Sequence, residues 1–327
     1  MTAIRTRGLT KTFGGVTAVD DLDLRVESGE VFGFLGPNGA GKSTTIDLLL
    51  GFTSPTSGEA TVLGRDVRSA GADARRDVGV LPEDYAVYDD LSAREHLRSM
   101  IRLKAVDDDP DRLLETVGID PADRDRPAGG FSKGMCQRLV LAVALAGDPD
   151  LLILDEPSSG LDPSGIAEIR DLVRAEAESG TTVFFSSHRL PQVEAVCDRV
   201  GIMDDGRLVA VDTVDGLRER TGGAERLRLS LRDPPTEETL ARLGAVDGVV
   251  DVTAADEDVT VVCGEPGAKA EAVAAATRDA AVADFAVETT TLAELFERFT
   301  GTDGDDPAAT EPDTGPVSIG RDGGESP

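Results

Sequence analysis

The sequence predicts an α/β domain with a largely parallel sheet, followed by a small α+β domain and an acidic tail. Three observations support this fold class. Short β-rich segments alternate with helical patterns from Ile4 to about Arg220, as in a parallel sheet covered by helices. After residue 224 the predicted elements instead follow the order β-α-β-β-α-β. The stretch from Gly301 to Pro327 contains almost no apolar residues.

The predicted sheet domain spans residues 1–220, and continuous apolar segments mark its strands. A parallel strand is covered on both faces, so nearly every side chain along it is apolar. Three segments meet this description, Val31–Leu35, Leu151–Leu154 and Thr182–Phe185. Charged helical patterns lie between the first and the second of them, and they predict a helical subdomain over residues 84–148.

The small domain is predicted for residues 221–300. Its strands are expected at Leu227–Leu231, Val249–Val252, Val259–Cys263 and Phe285–Glu288, and its helices at Glu237–Leu243 and Ala268–Ala281. This order of elements indicates a ferredoxin-like sheet. Residues 301–327 are predicted to form a disordered tail.

The charge of the chain argues against nucleic acid as a partner. The chain has 33 Lys and Arg residues against 62 Asp and Glu residues, a formal charge of −29. Binding to nucleic acid or to an anionic membrane needs a basic surface that displaces counterions. Lysine occurs only at Lys11, Lys42, Lys104, Lys133 and Lys269, so the other 28 cations are arginine. This composition resembles that of salt-in halophiles, in which strong screening offsets self-repulsion.

The chain is expected to be cytoplasmic. No segment approaches the apolar run of about 18 to 20 residues that spans a bilayer. Residues 1–20 lack the apolar core of a signal peptide. The cysteines, Cys136, Cys197 and Cys263, are scattered and indicate neither a disulfide framework nor a metal cluster. Any role at a membrane therefore has to come through a partner.

A glycine-rich segment directly after the first buried strand fits the phosphate-loop pattern G-x-x-x-x-G-K-[ST]. The segment consists of Gly36, Pro37, Asn38, Gly39, Ala40, Gly41, Lys42, Ser43 and Thr44, and an apolar helical pattern follows it. Glycines let main-chain N–H groups approach phosphates closely, and the helix N-terminus adds positive potential. Lys42 would contact the β- and γ-phosphates, and Ser43 would ligate Mg²⁺. The segment therefore predicts a P-loop nucleotide-binding domain.

Two acidic residues directly after the second buried strand indicate the chemistry of this site. Asp155 ends the apolar run beside the predicted phosphate loop, where its carboxylate would hold Mg²⁺ directly or through water. Glu156 follows it and could take a proton from an attacking water. The sequence has no Asn-Lys-x-Asp motif for guanine, which argues against a GTPase. These residues predict an ATP-hydrolysing enzyme.

Together with these two motifs, four further segments resemble the ATP-binding subunit of an ABC transporter. Phe131–Met135 with Gln137 and Arg138 is similar to the signature motif, Ser159–Asp162 to the D-loop, Ser187–His188 to the switch histidine, and Phe13 to the aromatic residue that stacks on adenine. The segments occur in the order typical of the family and cover about two-thirds of the chain. The resemblance implies a P-loop NTPase fold of the ABC ATPase type.

The resemblance also implies a paired mechanism. Two such domains would face each other head to tail and enclose two ATP molecules with Mg²⁺. Ser132, Lys133 and Gly134 at the start of the signature helix would meet the γ-phosphate that the other chain binds. Asp162 would lie at the same interface. His188 would contact the γ-phosphate and position the catalytic water.

Two positions depart from the family pattern. Glu83 stands where the family usually has glutamine, and it can still ligate Mg²⁺ although it adds negative charge beside ATP. Lys133 replaces a signature glycine and adds a cation near phosphate. Glutamate at the first position is familiar in the branch that serves ABC-2-type exporters, and Thr291–Phe296 resembles the closing helix of that branch.

The sequence therefore predicts an ATPase that drives ABC-2-type membrane permease subunits from the inner face of the membrane. It would work as a homodimer or with a paired ATPase subunit. One alternative is a soluble ABC ATPase that remodels a ribosome or a cluster-assembly scaffold. Another is a nucleotide-binding regulatory module that does not hydrolyse ATP, although the presence of Glu156 and His188 argues against it.

Overall fold

The computed structural model describes residues 1–69, 75–220, 225–265, 267–288, 294 and 296. The described strands are β1 (Thr2–Phe13), β2 (Val16–Leu22), β3 (Arg25–Glu27), β4 (Val31–Leu35), β5 (Ser57–Val62), β6 (Arg65–Asp66), β7 (Val78–Leu81), β8 (Leu151–Asp155), β9 (Thr182–Ser187), β10 (Arg199–Asp204), β11 (Arg207–Asp212), β12 (Glu225–Leu231), β13 (Val249–Ala255), β14 (Asp258–Cys263) and β15 (Val282–Glu288). The described α-helices are α1 (Lys42–Leu49), α2 (Ala93–Lys104), α3 (Pro110–Thr116), α4 (Lys133–Leu145), α5 (Pro163–Glu178), α6 (Leu190–Glu194), α7 (Val214–Arg220), α8 (Glu237–Gly244) and α9 (Ala268–Asp279).

The central sheet has the strand order β11-β10-β4-β9-β8-β7 and is parallel except for its edge strand β11. The strands β4, β9 and β8 lie side by side in its middle, and every residue along them is buried. They are the three strands that the sequence predicts as buried on both faces. Their carboxyl ends meet at one edge, which is where open α/β sheets bind ligands. The predicted α/β fold is confirmed.

A second sheet is antiparallel, and the prediction of a single, largely parallel sheet omits it. Its order is β2-β1-β5-β6, with β3 also paired to β1. In the hairpin of β1 and β2, Phe13 pairs with Val16 across the turn Gly14-Gly15, and Gly14 has a φ of 57°. A two-residue hairpin turn favours glycine because its backbone needs positive φ. These strands expose one face, so they lack the continuous apolar run that marks the central strands.

Neighbouring residues of the central strands pack into two separate apolar clusters. Ile153 and Phe184 belong to the cluster between the central sheet, the antiparallel sheet and α1. Leu152, Leu154 and Phe185 belong to the cluster between the opposite face and the helices α2 to α5. Burial on both faces therefore fixes the central strands, and with them the residues at their carboxyl ends.

His96 has a structural role at the start of α2. Its Nδ1 lies 2.9 Å from the carbonyl oxygen of Ser92, and its Nε2 accepts a hydrogen bond of 2.9 Å from the N–H of Tyr88. A backbone N–H can only donate, so Nδ1 carries the ring proton and donates to Ser92. Both ring nitrogens are therefore used in holding the start of α2.

The third sheet has the order β13-β14-β12-β15, and all its pairs are antiparallel. The helices α8 and α9 pack on the face that carries Leu227 and Val261. This is a split β-α-β arrangement. Within the predicted closing helix, the described residues are Glu294, which pairs with Arg226, and Phe296, which packs against the core of the central sheet.

The predicted division into domains at residues 220 and 300 stays a prediction. Residues 221–224 and the predicted disordered tail, 301–327, lie outside the described residues. In the part of the chain that is described, no helix combines the length and the apolar character that a membrane span requires.

Candidate nucleotide site

The phosphate loop joins the end of β4 to the start of α1, and two of its glycines are required by close backbone contacts. A Cβ atom on Gly36 would lie 2.5 Å from the carbonyl oxygen of Met203. Gly41 has a φ of 101°, and a Cβ on it would lie 2.2 Å from the carbonyl oxygen of Ala18. Gly41 provides no side-chain cap for α1, so the first N–H groups of this helix can bind an anion.

Lys42 is buried at the first position of α1, with 7% of its side chain exposed. Its Nζ donates to the carbonyl oxygens of Gly36 at 2.7 Å and Pro37 at 3.2 Å, and lies 3.9 Å from Oε1 of Glu156. Burial lowers the pKa of Lys42, and the charges of Glu156, Asp155 and Glu83 oppose this shift. The phosphate loop itself therefore holds the ammonium group in place beside the carboxylates.

Asp155 ends β8 and is only 6% exposed. Ser186 on the adjacent strand β9 donates its hydroxyl to Oδ1 of Asp155. Burial raises the pKa of Asp155, while hydrogen bonds from Ser186 and Ser43 lower it. A buried carboxylate can bind a cation favourably, because the cation offsets the cost of desolvating the negative charge.

Glu156 has an unusual backbone and one unused carboxylate oxygen. Its φ is 47°, in the left-handed region that non-glycine residues seldom occupy. Its N–H is held by Ser186, 3.1 Å from Oγ, and its Oε1 lies 2.9 Å from Nδ1 of His188. Its Oε2 is buried without a hydrogen-bond partner among the described residues. Strain and an unused acceptor at one residue are typical of a functional site.

The phosphate loop and Glu156 line one cavity of about 310 Å³. Its lining residues are Ala18, Asn38, Gly39, Gly41, Lys42, Ser43, Thr44, Glu83 and Glu156. Burial raises the pKa of Glu83, and the charges of Asp155 and Glu156 raise it further. The structure therefore brings the phosphate loop, Glu83 and Glu156 together at this cavity, and Asp155 directly precedes Glu156 at the end of β8.

The signature segment lies outside this cavity. The Ser132 hydroxyl accepts a hydrogen bond of 3.2 Å from the N–H of Met135 and so caps α4. A Cβ atom on Gly160 of the D-loop segment would lie 2.6 Å from Nζ of Lys133, and one on Gly134 would lie 3.3 Å from Leu161. The signature helix thus packs against the D-loop of its own chain.

Two other predicted binding residues also lie away from the cavity lining. Asp162 caps α5, and its Oδ1 accepts a hydrogen bond of 2.8 Å from the N–H of Gly165. Phe13 is 51% exposed, and Nζ of Lys11 lies 4.6 Å from the centroid of its ring. An exposed ring with a cation near one face still has room for a base to stack on it.

The donor set suits Mg²⁺ bound together with phosphates. The hydroxyl of Ser43 and the carboxylates of Asp155 and Glu83 are hard oxygen ligands, which Mg²⁺ prefers. Within the described ranges, no group of three or more His, Cys, Asp or Glu side chains forms a metal cluster. Mg²⁺ usually binds through one or two protein ligands together with phosphate oxygens and water.

Two residues at or beside the site, Ser186 and Ala18, are missing from the sequence predictions, and Gln137 is named there only as part of the signature motif. Ser186 bridges Asp155 and the N–H of Glu156, Ala18 lines the cavity, and Gln137 donates to the carbonyl oxygen of Pro157. Only Ser186 has a visible signal, because it is a polar residue that continues the apolar run of β9. Ala18 and Gln137 reach the site only through the tertiary fold.

Known proteins identify the family of this chain. Residues 19–159 match the ABC transporter family. The chain is 36% identical over 318 residues to the daunorubicin/doxorubicin resistance ATP-binding protein DrrA of Streptomyces peucetius, a match that covers 94% of this chain and 96% of that protein. The chain belongs to the ABC transporter ATP-binding family. This ABC ATPase binds ATP with Mg²⁺ and hydrolyses ATP, so the alternative of a non-hydrolysing module is not supported.

Further similarities cover the ATP-binding domain of this ABC ATPase. It is 41% identical over 222 residues to the bacitracin transport ATP-binding protein BcrA of Bacillus licheniformis, which covers 67% of this chain and 72% of that protein. A solved ATP-binding subunit of an ABC transporter is 29% identical with a TM-score of 0.63, and covers 68% of this chain and 94% of that chain. The solved structure of CbiO1 from Clostridium perfringens has a TM-score of 0.60 at 26% identity, over 67% of this chain and 92% of that one.

Burial of Asp155 leads to a prediction about stability. Its raised pKa means that the folded chain binds this proton more tightly than the unfolded chain does, so stability falls as pH rises through the ordinary and then the raised pKa. Asp155→Asn removes the buried charge, and Oδ1 can still accept from Ser186. Without nucleotide at neutral pH, the variant is expected to unfold at a temperature about 2–4 °C higher, equivalent to about 1 kcal/mol.

Thermal unfolding followed by circular dichroism at several pH values tests this prediction. The gain should shrink as acid protonates Asp155 in the wild type. Asp150→Asn, at an exposed position beside the same strand, is the control and should change little. A variant no more stable than the wild type at neutral pH would show that burial of this carboxylate costs nothing.

Proposed function

We propose that this ABC ATPase works as one of two paired subunits that bind ATP and Mg²⁺ between them and drive export through separate membrane subunits. The observation that supports this proposal is that the predicted site residues lie in two separate groups. The phosphate loop, Glu83 and Glu156 line one cavity, whereas Ser132 and Lys133 are exposed on α4 away from that lining. A second chain placed head to tail would bring the two groups together.

In this proposal the residues of the cavity bind and neutralise the triphosphate. The N–H groups at the start of α1 and Nζ of Lys42 bind the β- and γ-phosphates. Ser43 and Asp155 would hold Mg²⁺, and Glu83 would supply a further carboxylate. Bound Mg²⁺ supplies charge neutralisation for the phosphates. Positioning and charge neutralisation provide most of the catalysis in phosphoryl transfer.

Glu156 and His188 are the proposed activators of water. Nδ1 of His188 contacts Oε1 of Glu156, which leaves the buried Oε2 as the acceptor for a water proton. His188 is about half exposed, so the rest of its ring can face the γ-phosphate when a second chain closes over the site. The serine hydroxyl and the N–H groups at the start of α4 would then complete the phosphate cage from the partner.

The assignment to export rests on the relatives. DrrA is named for daunorubicin and doxorubicin resistance and BcrA for bacitracin transport, and the match to DrrA extends over 94% of this chain. We infer ABC-2-type permease subunits as the partners, and a place at the inner face of the membrane. The pair consists either of two copies of this chain or of this chain and a related ATPase subunit, and each member has to supply a signature segment. The alternative of a soluble remodelling ATPase has no such support.

Glu83 is the residue we propose to couple the metal site to the membrane subunits. Glu83→Gln removes a negative charge beside ATP, so the KM for ATP is expected to fall about two- to fivefold. The change also removes a carboxylate ligand, and stimulation of hydrolysis by the membrane partner is expected to fall several-fold. The measurement is ATP hydrolysis and ATP-driven transport by the complex reconstituted with its membrane partner.

Glu59→Gln is the matched control for this experiment, because Glu59 is an exposed glutamate on β5 outside the cavity. It should leave hydrolysis and transport unchanged. Unchanged hydrolysis and unchanged transport in Glu83→Gln as well would remove Glu83 from the coupling mechanism.

A further inference from the structure

The buried amide of Gln137 joins the signature helix to the catalytic strand end within one chain. Gln137 lies on α4, little more than one turn after Ser132, and is only 2% exposed. Its Nε2 donates to the carbonyl oxygen of Pro157, the residue that follows Glu156. Since a carbonyl oxygen only accepts, the NH₂ group must face it, which fixes the orientation of the amide.

This contact acts on the most strained part of the site. The left-handed backbone of Glu156 has to be held by its surroundings, because such a conformation does not persist unaided. The hydroxyl of Ser186 accepts a hydrogen bond from the N–H of Glu156. The N–H of Ser159 donates to the carbonyl oxygen of Glu156 at 3.0 Å. Gln137 holds the next carbonyl group, that of Pro157. The direction of the Glu156 carboxylate therefore depends in part on where α4 lies.

We propose that Gln137 is a positioning residue that links the two ATP sites of the paired enzyme. The inference rests on the proposed head-to-tail pairing. In that arrangement the N-terminus of α4 contacts the γ-phosphate bound by the partner, whereas Glu156 acts on the ATP bound by its own chain. Gln137 connects these two ends of one chain, so ATP in one site sets the position of Glu156 in the other.

Two neighbouring contacts make α4 suitable as the connecting element. A Cβ on Gly160 would lie within 2.6 Å of Lys133, and one on Gly134 would lie 3.3 Å from Leu161, so the D-loop packs under the start of the helix. A helix moves as a unit over this distance of little more than a turn. If the N-terminus of α4 shifts when it binds phosphate, Gln137 therefore moves with it.

The chemistry of the side chain argues for more than packing. Oε1 of Gln137 is buried without a hydrogen-bond partner among the described residues, which an apolar side chain of the same size would avoid. Methionine would fill the same space without an unsatisfied acceptor. What methionine cannot do is donate to Pro157. The amide N–H donor of Gln137 is therefore the property that this position requires.

The test compares Gln137→Met and Gln137→Glu with the wild type in steady-state ATP hydrolysis. Methionine removes the donor, and glutamate keeps the size of the side chain but turns an acceptor toward the Pro157 carbonyl. In both variants kcat is expected to fall about tenfold or more while KM for ATP changes less than about twofold. The Hill coefficient for ATP should fall from its wild-type value toward 1, because the sites no longer communicate.

Arg124→Met is the matched control. Arg124 is 9% exposed, and its Nε donates to the carbonyl oxygen of Ile119 at 3.3 Å, so this variant also loses a buried donor to a backbone carbonyl, but outside the signature segment. This control should keep both kcat and cooperativity. A purely structural role for Gln137 would lower the unfolding temperature of the two Gln137 variants and leave the Hill coefficient for ATP unchanged.

Unchanged kcat and cooperativity in Gln137→Met and Gln137→Glu would overturn the inference, as would an equal loss in Arg124→Met. Sedimentation of each chain with ATP separates this outcome from failure of the proposed function. A wild-type chain that pairs neither with itself nor with a related ATPase subunit contradicts the pairing itself. If the wild-type chain pairs, and the Gln137 variants are also fully active and cooperative, only the proposed link through Gln137 is contradicted.

Discussion

Glu156→Gln is expected to lower kcat for ATP hydrolysis by about 100-fold or more, the range typical of losing a general base. Glutamine keeps the size of the side chain, and its amide can still contact His188, but it cannot accept a proton from water. The residues that bind phosphate are unchanged, so ATP should still bind. The variant is therefore expected to accumulate as a pair of chains with ATP enclosed, which sedimentation velocity would detect as a doubled mass.

The control for this prediction is Glu178→Gln, an exposed glutamate at the end of α5. It should hydrolyse ATP at the wild-type rate. A Glu156→Gln chain as active as the wild type would assign water activation to another residue, and the buried Oε2 would lose its proposed function.

Ser132→Asp is expected to have an effect of similar size through the partner chain. Aspartate is as good a helix N-cap as serine, so it should keep the hydrogen bond to the N–H of Met135 and the stability of α4. In the paired enzyme, however, the new carboxylate would face the γ-phosphate of the partner and repel it. Hydrolysis is expected to fall about 100-fold, while single chains still bind ATP.

A matched control exists elsewhere in the chain. Thr236 is an exposed N-cap on α8, where its hydroxyl accepts from the N–H of Thr239 at 3.2 Å, and Thr236→Asp makes the corresponding change. Hydrolysis by Thr236→Asp should match the wild type. Equal activity of Ser132→Asp and wild type, measured with a coupled ATPase assay, would remove the signature helix from the site.

The sequence predicts the central strands and the phosphate site well because both depend on local patterns. Val31–Leu35 is buried along its whole length, as its apolar run requires, and the loop from Gly36 to Lys42 follows it directly. The glycine pattern is informative because backbone atoms crowd Gly36 and Gly41 so closely that no side chain fits. The residues that form the strand and the loop are consecutive in the chain, so their pattern is visible in the sequence.

Other parts of the site depend on contacts between distant segments. Gln137 and Pro157 are 20 residues apart, and Ala18 meets Gly41 from the antiparallel sheet that the sequence analysis omits. That sheet exposes one face and so lacks a continuous apolar run. Pairing across such distances is set by the tertiary fold, which a single sequence does not display through periodicity or spacing.

The rare lysines hold specific positions. Besides Lys42, Nζ of Lys104 donates to the carbonyl oxygens of Val143 at 3.3 Å and Ala146 at 2.9 Å, at the end of α4. Nζ of Lys11 donates to the carbonyl oxygen of Ser54 at 2.7 Å. A compact ammonium group suits such carbonyl-rich positions better than a planar guanidinium.

Hydrolysis per chain at decreasing chain concentration is the measurement that bears most directly on a site shared between two molecules. With ATP and Mg²⁺ saturating, the rate per chain should fall in proportion to concentration once the chains separate. Added Glu156→Gln chains should restore part of it, because they still supply an intact signature segment. The same samples in the ultracentrifuge should change from double to single mass over that range. A rate per chain that stays constant while the mass is that of one chain would contradict the account.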